Sequence, residues 1–147
     1  LVMTVLWRSG NYFQSLAYFY CVFFNRDVRN NKAPIFSRRD HQHWIFSVSF
    51  NKFHDQLILT SGSDGTVMLT CAGSCSSETM DSKESEESKG THKKQLADGL
   101  LEKFEQHEDS VYCAEWSVDP WIFCSVSWDG RVVIKKVPKK YKYQILL

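Results

Sequence analysis

The stretch HQHWIFSVSF at residues 41–50 and the stretch HEDSVYCAEW at residues 107–116 share one pattern: a histidine, three residues, a β-branched residue, four residues, an aromatic. The two histidines lie 66 residues apart. After a one-residue adjustment the match resumes, with LILTSGSDGTVML at 57–69 lying over IFCSVSWDGRVVI at 122–134. Self-similarity at a fixed offset is the mark of a repeat architecture, and it governs how every other feature of the chain is read.

Each unit divides into short strands separated by turn residues. Residues 45–50 and 111–116 alternate in the period-2 sense and are predicted as first strands. Residues 51–55 and 117–120 are turns, the second carrying Asp119-Pro120 as a breaker. Second strands are expected at 56–60 and 121–125. Asp64-Gly65 and Asp129-Gly130 supply the positive φ that a hairpin turn needs, and third strands return over 66–69 and 131–134. A fourth strand for the first unit is expected at 100–104, and residues 33–36 take the same place before His41. The last unit has no evident fourth strand unless residues 141–147 supply it.

Composition bounds the function classes. Eighteen basic and seventeen acidic side chains give a net charge of +1, which provides no field to gather nucleic acid. Five cysteines at irregular spacing, without an Asn-x-Ser/Thr acceptor, argue against a secreted disulfide scaffold. Cys71 and Cys75 have half the form of a zinc site, but no second ligand pair stands at tight spacing, so no metal is expected.

Two segments depart from the repeat. Residues 1–24 hold eight of the chain's twenty-one aromatics and the single charge Arg8. Their densest apolar run, 16–24, is too short to span a bilayer. Degenerate strands of an earlier repeat, an interfacial apolar patch and sequence foreign to the fold all remain open for this head. Between Gly73 and Lys94 the chain turns to six serines, five acids and four lysines. Such a tract cannot bury enough apolar surface to offset its ordering entropy, so residues 71–98 are expected to form a disordered loop. Ser77 and Ser85, each followed by an acid, are candidate phosphorylation sites within it.

Four-stranded units that start near a His and turn at Asp-Gly resemble WD40 repeats, whose period of about 40 to 45 residues is recovered once the Ser-rich insertion is removed. The resemblance implies an all-β fold, a partial WD40 β-propeller of about two four-stranded antiparallel blades at the C-terminal end of a roughly seven-bladed ring. Residues 25–106 would form the penultimate blade with the last strand of the blade before it, and residues 107–147 the last blade and tail. It further implies a buried hydrogen-bond network of His41, Thr60 and Asp64 in one blade and of His107, Ser125 and Asp129 in the next. The chain departs from the family pattern at the Gly before each His, which is Asp40 or Gln106. The Trp-Asp dipeptide is likewise replaced, by Thr70-Cys71 and by Lys135-Lys136, so each network is expected to lack its fourth member.

A narrower resemblance rests on His41 to Trp44, His54 to Thr60, His107 to Tyr112, Asp119-Pro120-Trp121 and the tail from Val137 to Leu147. These are similar to the C-terminal end of a family of WD40 proteins that interact with tethering complexes of the EARP/GARP type. That resemblance implies a non-catalytic adaptor without cofactor or metal in endosomal recycling and trans-Golgi/endosome trafficking. Its partners would be protein complexes, with no nucleic acid and no integral membrane insertion. It would be cytoplasmic and peripheral at the trans-Golgi network and endosomes. The alternatives are a subunit of an enzyme complex or a lipid-peripheral module on the same scaffold, because a fold alone does not specify function.

Direct chemical readings are weak. His41, His43 and His54 lack ligand spacing, and His107, Asp109, Ser110 and Cys113 alternate in direction along a strand and cannot converge as a nucleophile cluster. No catalytic residue is expected, and none of the seven glycines forms a phosphate-cradling loop. Trp44, Trp121 and Trp128 stand at strand starts or beside the Asp turn and are the candidate interface residues. Lys135, Lys136, Lys139, Lys140 and Lys142 form the one basic cluster. They suit either an anionic lipid or RNA surface or a soluble, lysine-protected sheet edge.

Overall fold

Gly65 and Gly130 both take φ +74°, a left-handed backbone that only glycine adopts at little cost. Each therefore folds its strand back on itself, and this turn sets the antiparallel character of the chain. The computed structural model describes residues 2–8, 11–18, 22–27, 36–76 and 96–146. In chain order the strands are β1 (Val2–Arg8), β2 (Asn11–Tyr18), β3 (Val22–Asp27), β4 (Phe36–Arg38), β5 (Ile45–Phe50), β6 (Leu57–Gly62), β7 (Val67–Cys71), β8 (Gly99–Phe104), β9 (Val111–Trp116), β10 (Ile122–Ser127) and β11 (Val132–Lys136), followed by the helix α1 (Lys139–Leu146).

The described strands pair as three antiparallel meanders, β1–β2–β3–β4, β5–β6–β7–β8 and β9–β10–β11. Neighbouring sheets meet through their early strands: β5 and β6 run beside β9, and β1 and β2 run beside β5. No strand pairs back to close the set into a ring among the described residues, so the architecture is a partial propeller. Most of the apolar head, 1–24, lies within β1 to β3.

The middle sheet is covered on both faces, and its sequence reflects this. Every residue of β6 and β7 is buried, which is why these strands read as near-continuous apolar runs and not as alternating ones. One face packs Ile45, Val48 and Ile58 with Phe36 and Ala72. The other packs Leu57, Leu59, Val67 and Leu69 against Val111, Ala114, Phe123 and Val137. Phe123 is the centre of this second layer, meeting Phe104 and Trp116 edge-on with ring centroids 5.2 and 5.7 Å away.

Polar contacts fix the angle between the second and third sheets. Buried Asn51 accepts from the backbone N–H groups of Phe53 and His54 at 3.0 Å through Oδ1, which shapes its own turn. Its Nδ2 donates to the Pro120 carbonyl at 2.6 Å, tying that turn to the matching turn of the next sheet. Ser49 Oγ donates to Glu115 at 2.7 Å, and Trp116 Nε1 donates to the Ser49 carbonyl at 3.2 Å.

Two expectations are corrected. Residues 141–146 do not complete the last sheet: Lys139–Leu146 is helical, so among the described residues the last sheet has three strands with β11 at its edge. Pro138 has no N–H to continue the β ladder, and its carbonyl accepts from the N–H groups of Tyr141 and Lys142 to start the helix. Tyr141 and Ile145, one helical turn apart, then pack together on the second apolar layer.

The insertion begins later than residue 71. Cys71 pairs with Gly99 as the last rung of β7 and β8. A 3-10 turn at Gly73–Cys75 follows, and Ser76 donates to Asp55 at 2.6 Å while the Ser74 N–H donates to Asp98 at 3.0 Å. Residues 77–95, with the candidate Ser77 and Ser85, lie outside the described residues. A strand stands before His41 at Phe36–Arg38, and residues 33–35 of the expected strand lie outside the described residues.

Phe123→Ala should lower the unfolding free energy of the chain by about 3–5 kcal/mol, because the cavity opens between two sheets that cannot collapse onto it. Cys124→Ala, one residue along on the exposed face, should change it by less than about 0.5 kcal/mol. Urea unfolding followed by circular dichroism measures both. Equal losses would show that the β10 face against the middle sheet is not the core.

Candidate functional site

The chemistry-bearing residues gather at the Asp-Gly end of the sheets. His41 arrives from the segment before β5, Thr60 from β6 and Asp64 from the hairpin after it. His41 Nδ1 lies 3.1 and 3.0 Å from the two Asp64 oxygens, and Nε2 lies 2.8 Å from Thr60 Oγ1. A carboxylate only accepts, so Nδ1 carries the proton and donates, while the Thr60 hydroxyl donates to Nε2. In the next unit His107 Nδ1 lies 3.0 Å from Asp129, and Nε2 lies 2.8 Å from Ser125 Oγ.

The carboxylates accept from backbone as well. Asp64 takes the Gln42 N–H at 3.0 Å, and Asp129 takes those of Glu108 at 3.1 Å and Arg131 at 2.9 Å. One member was not foreseen from sequence: Thr66, after Asp64-Gly65, donates its hydroxyl to Asp64 at 2.7 Å. Its counterpart Arg131 has no hydroxyl and turns to Glu108 instead, at 2.8 Å. A Thr directly after Asp-Gly was the available signal.

Burial and donors compete at both acids. Burial raises the Asp64 carboxyl, but the His41 hydrogen bond, the Thr66 hydroxyl and the Gln42 N–H together hold it well below the usual carboxylate range. Asp129 is treated alike: burial opposes ionisation, and the Arg131 and Glu108 N–H groups with His107 bring it down to about 2. Two departures from the family pattern in the first unit, Asp40 and Thr70, have local answers. Asp40 forms a bidentate pair with Arg38, at 3.0 and 2.8 Å. Thr70, where the family's Trp would stand, borders a small pocket with Arg38, Asp40, His41, Ile45 and Thr60.

Ser125–His107–Asp129 has the connectivity of a hydrolase triad, and its surroundings decide against that use. Ser125 is 3% exposed and the His107 side chain 2%, so no carbonyl carbon can approach the hydroxyl. Among the described residues no three His, Cys, Asp or Glu side chains stand close enough to share a metal ion. Ser110 turns away from His107, its Oγ donating to the Ser63 carbonyl at 3.3 Å, and burial raises the Cys113 thiol.

The three candidate interface tryptophans separate. Trp128, in the second Asp-Gly hairpin, is 68% exposed. It meets the Tyr112 ring edge-on at 5.3 Å, and Tyr112 stacks on Phe46 at 5.3 Å with the planes 6° apart. An aromatic row thus runs from the third sheet to the second along the rim, with exposed Trp44 near its end beside His43. Phe46 and Tyr112 were missed because each follows the β-branched residue of its repeat and reads as ordinary strand. Trp121 stands apart from the other two: it is half-buried at the opposite end, packed on the core beside His54, whose ring lies 4.5 Å away.

As pH falls, stability should fall with it. Both acids have folded values below the unfolded value of about 3.9, so their contribution is present above that pH and is lost as pH drops through about 2 for Asp129 and lower for Asp64. Urea midpoints should decline from pH 4 toward pH 2, and Asp129→Asn should flatten the decline. An unchanged slope would mean that these carboxylates are not ionised through the network.

Gly62 is a second test. A Cβ there would sit 2.6 Å from the Trp44 carbonyl oxygen and 3.1 Å from His41 Nδ1. Gly62→Ala should therefore cost about 1–3 kcal/mol by overpacking, measured by thermal melting, although the matching position of the next unit carries Ser127.

A family model described as WD domain, G-beta repeat, matches residues 32–70 and 99–134, on either side of the insertion. The EARP-interacting protein homolog of Gekko japonicus is 44% identical over 131 residues, covering 82% of this chain and 34% of that protein. EARP and GARP complex-interacting protein 1 of Homo sapiens is 42% identical with the same coverage. EARP-interacting protein 1 of Caenorhabditis elegans is 46% identical over 124 residues, again 82% and 34%. The chain spans about a third of the length of these relatives. Matched repeats, Asp-Gly hairpins with left-handed glycines and paired His–hydroxyl–Asp networks converge on one conclusion: the chain belongs to the WD40 repeat family.

Proposed function

We propose that this chain is part of a non-catalytic WD40 adaptor that binds vesicle-tethering complexes in endosomal recycling and trans-Golgi/endosome trafficking. It would act in the cytoplasm, peripherally at those membranes, without cofactor or metal. The observation that carries the reading is the aromatic row Phe46–Tyr112–Trp128 at the hairpin end, in which Tyr112 and Trp128 are exposed. Exposed Trp and Tyr on a rigid rim are what interfaces use as anchors, since they bring large contact area at little entropic cost. Relatives whose names state an interaction with EARP, and in the human protein with the EARP and GARP complexes, support the choice of partner. The buried networks supply rigidity instead of chemistry: they hold the hairpin that carries Trp128, so the rim is preorganised for docking.

Affinity-tagged chain should retain tethering-complex subunits from a cell extract at moderate salt. Trp128→Ala with Tyr112→Ala should weaken that retention by about tenfold or more, each anchor contributing on the order of 1–2 kcal/mol. The melting temperature should stay within a few degrees. Undiminished retention would sink the assignment of this rim, and absence of any retention by the unaltered chain would sink the partner assignment.

A further inference from the structure

The opposite end of the same sheet has a different character. β11 ends in Lys135 and Lys136, and α1 follows at once with Lys139, Lys140 and Lys142. The helix is fastened on its inner side: Tyr141 and Ile145 pack on the core, and the Tyr141 hydroxyl donates to the Leu101 carbonyl. At 100° per residue, the side opposite that seam carries Lys139, Tyr143 and Leu146, with Lys140 and Lys142 flanking it. Tyr143 is 56% exposed and Leu146 51%.

Among the described residues, little neutralises this group. Lys140 reaches Glu102 at 3.6 Å, and Lys142 lies over the Trp121 ring at 5.2 Å. Among the described residues, Lys135, Lys136 and Lys139 have no carboxylate within ion-pair distance. A lysine-lined sheet edge needs only solvated charge, and it does not account for an aromatic and an aliphatic residue held outward between the lysines. That combination is the one an interfacial helix uses: a ring and an alkyl group at headgroup depth, with ammonium groups snorkelling to phosphates around them. An RNA surface would favour stacking faces in a groove, and the convex side of a short helix presents none.

We infer that α1 and the end of β11 form a peripheral docking surface for an anionic phospholipid membrane, with Lys136 and Lys139 meeting headgroups and Tyr143 and Leu146 entering the interface. No helix among the described residues is long and apolar enough to cross a membrane, so the contact is superficial and reversible. β10 and β11 run between this end and the Trp128 hairpin, a span of about 17–20 Å. A membrane contact at the lysine end therefore leaves the aromatic rim clear, and the inference does not depend on which protein that rim binds.

The test is co-sedimentation of the full chain with vesicles of phosphatidylcholine alone and of phosphatidylcholine with phosphatidylserine. Binding is expected only to the mixed vesicles and should weaken as salt is raised. Lys136→Glu with Lys139→Glu should reduce partitioning by about tenfold or more, since each lysine near such a surface is worth about fivefold. Tyr143→Ser with Leu146→Ser should reduce it severalfold at unchanged charge. Trp128→Ala should leave vesicle binding intact, which separates this surface from the protein-binding rim. Circular dichroism melts show that each variant remains folded. Absence of binding to the mixed vesicles, or binding indifferent to both double substitutions, would overturn the inference. Lysine-dependent binding to single-stranded RNA with none to vesicles would overturn it as well, in favour of RNA.

Discussion

A buried imidazole that joins three separate pieces of backbone is the constraint on which the rest depends. In each repeat the histidine before the first strand donates to the carboxylate of the Asp-Gly hairpin and accepts from a hydroxyl on the second strand. A buried carboxylate without these partners would be costly enough to favour another conformation. The hairpin therefore has one position relative to the strand start, and everything mounted on it inherits that position. Trp128 is placed against Tyr112 in this way, and Gly62 must be bare because the backbone at Trp44 crosses so close above it.

The two networks do not stand in equal surroundings. Asp64 has an additional hydroxyl from Thr66 and a second sheet packed beside its hairpin, where the Ser110 hydroxyl reaches the Ser63 carbonyl. Asp129 relies on backbone N–H groups and His107, and its hairpin stands at an exposed rim. One motif thus serves as an internal brace in the middle sheet and as a rigid mount for an exposed aromatic in the last. The ends of the last sheet differ as sharply, with rings at one and lysines at the other.

Much of the fold was legible because its determinants are local. The first strands were found with their observed limits, and the Asp-Gly turns from their demand for positive φ. The pairing of His41 with Thr60 and Asp64 was legible as well, through the resemblance that supplied the partners. The tail was not. Tyr141, Tyr143 and Ile145 alternate as a strand would, and only the contact of Tyr141 and Ile145 with the core selects the helical period. Trp121 and Trp128 occupy comparable strand-start and turn settings in the sequence, and distance along β10 sends them to opposite ends.

By itself the sequence determined the repeat, the strand and turn alternation, and the residue types able to satisfy one another when buried, since these follow from periodicity, backbone preference and hydrogen-bonding capacity. Tertiary structure decided which faces are covered. Leu69 and Ile134 hold the same repeat position, yet Leu69 is 0% exposed and Ile134 70%. A third sheet lies over Leu69, and nothing among the described residues lies over Ile134. Burial is a property of what packs alongside, and no residue encodes it alone. For the same reason only the assembled sheets could bring Phe46, Tyr112 and Trp128 into one row, or turn the lysines, Tyr143 and Leu146 outward on one side of a helix.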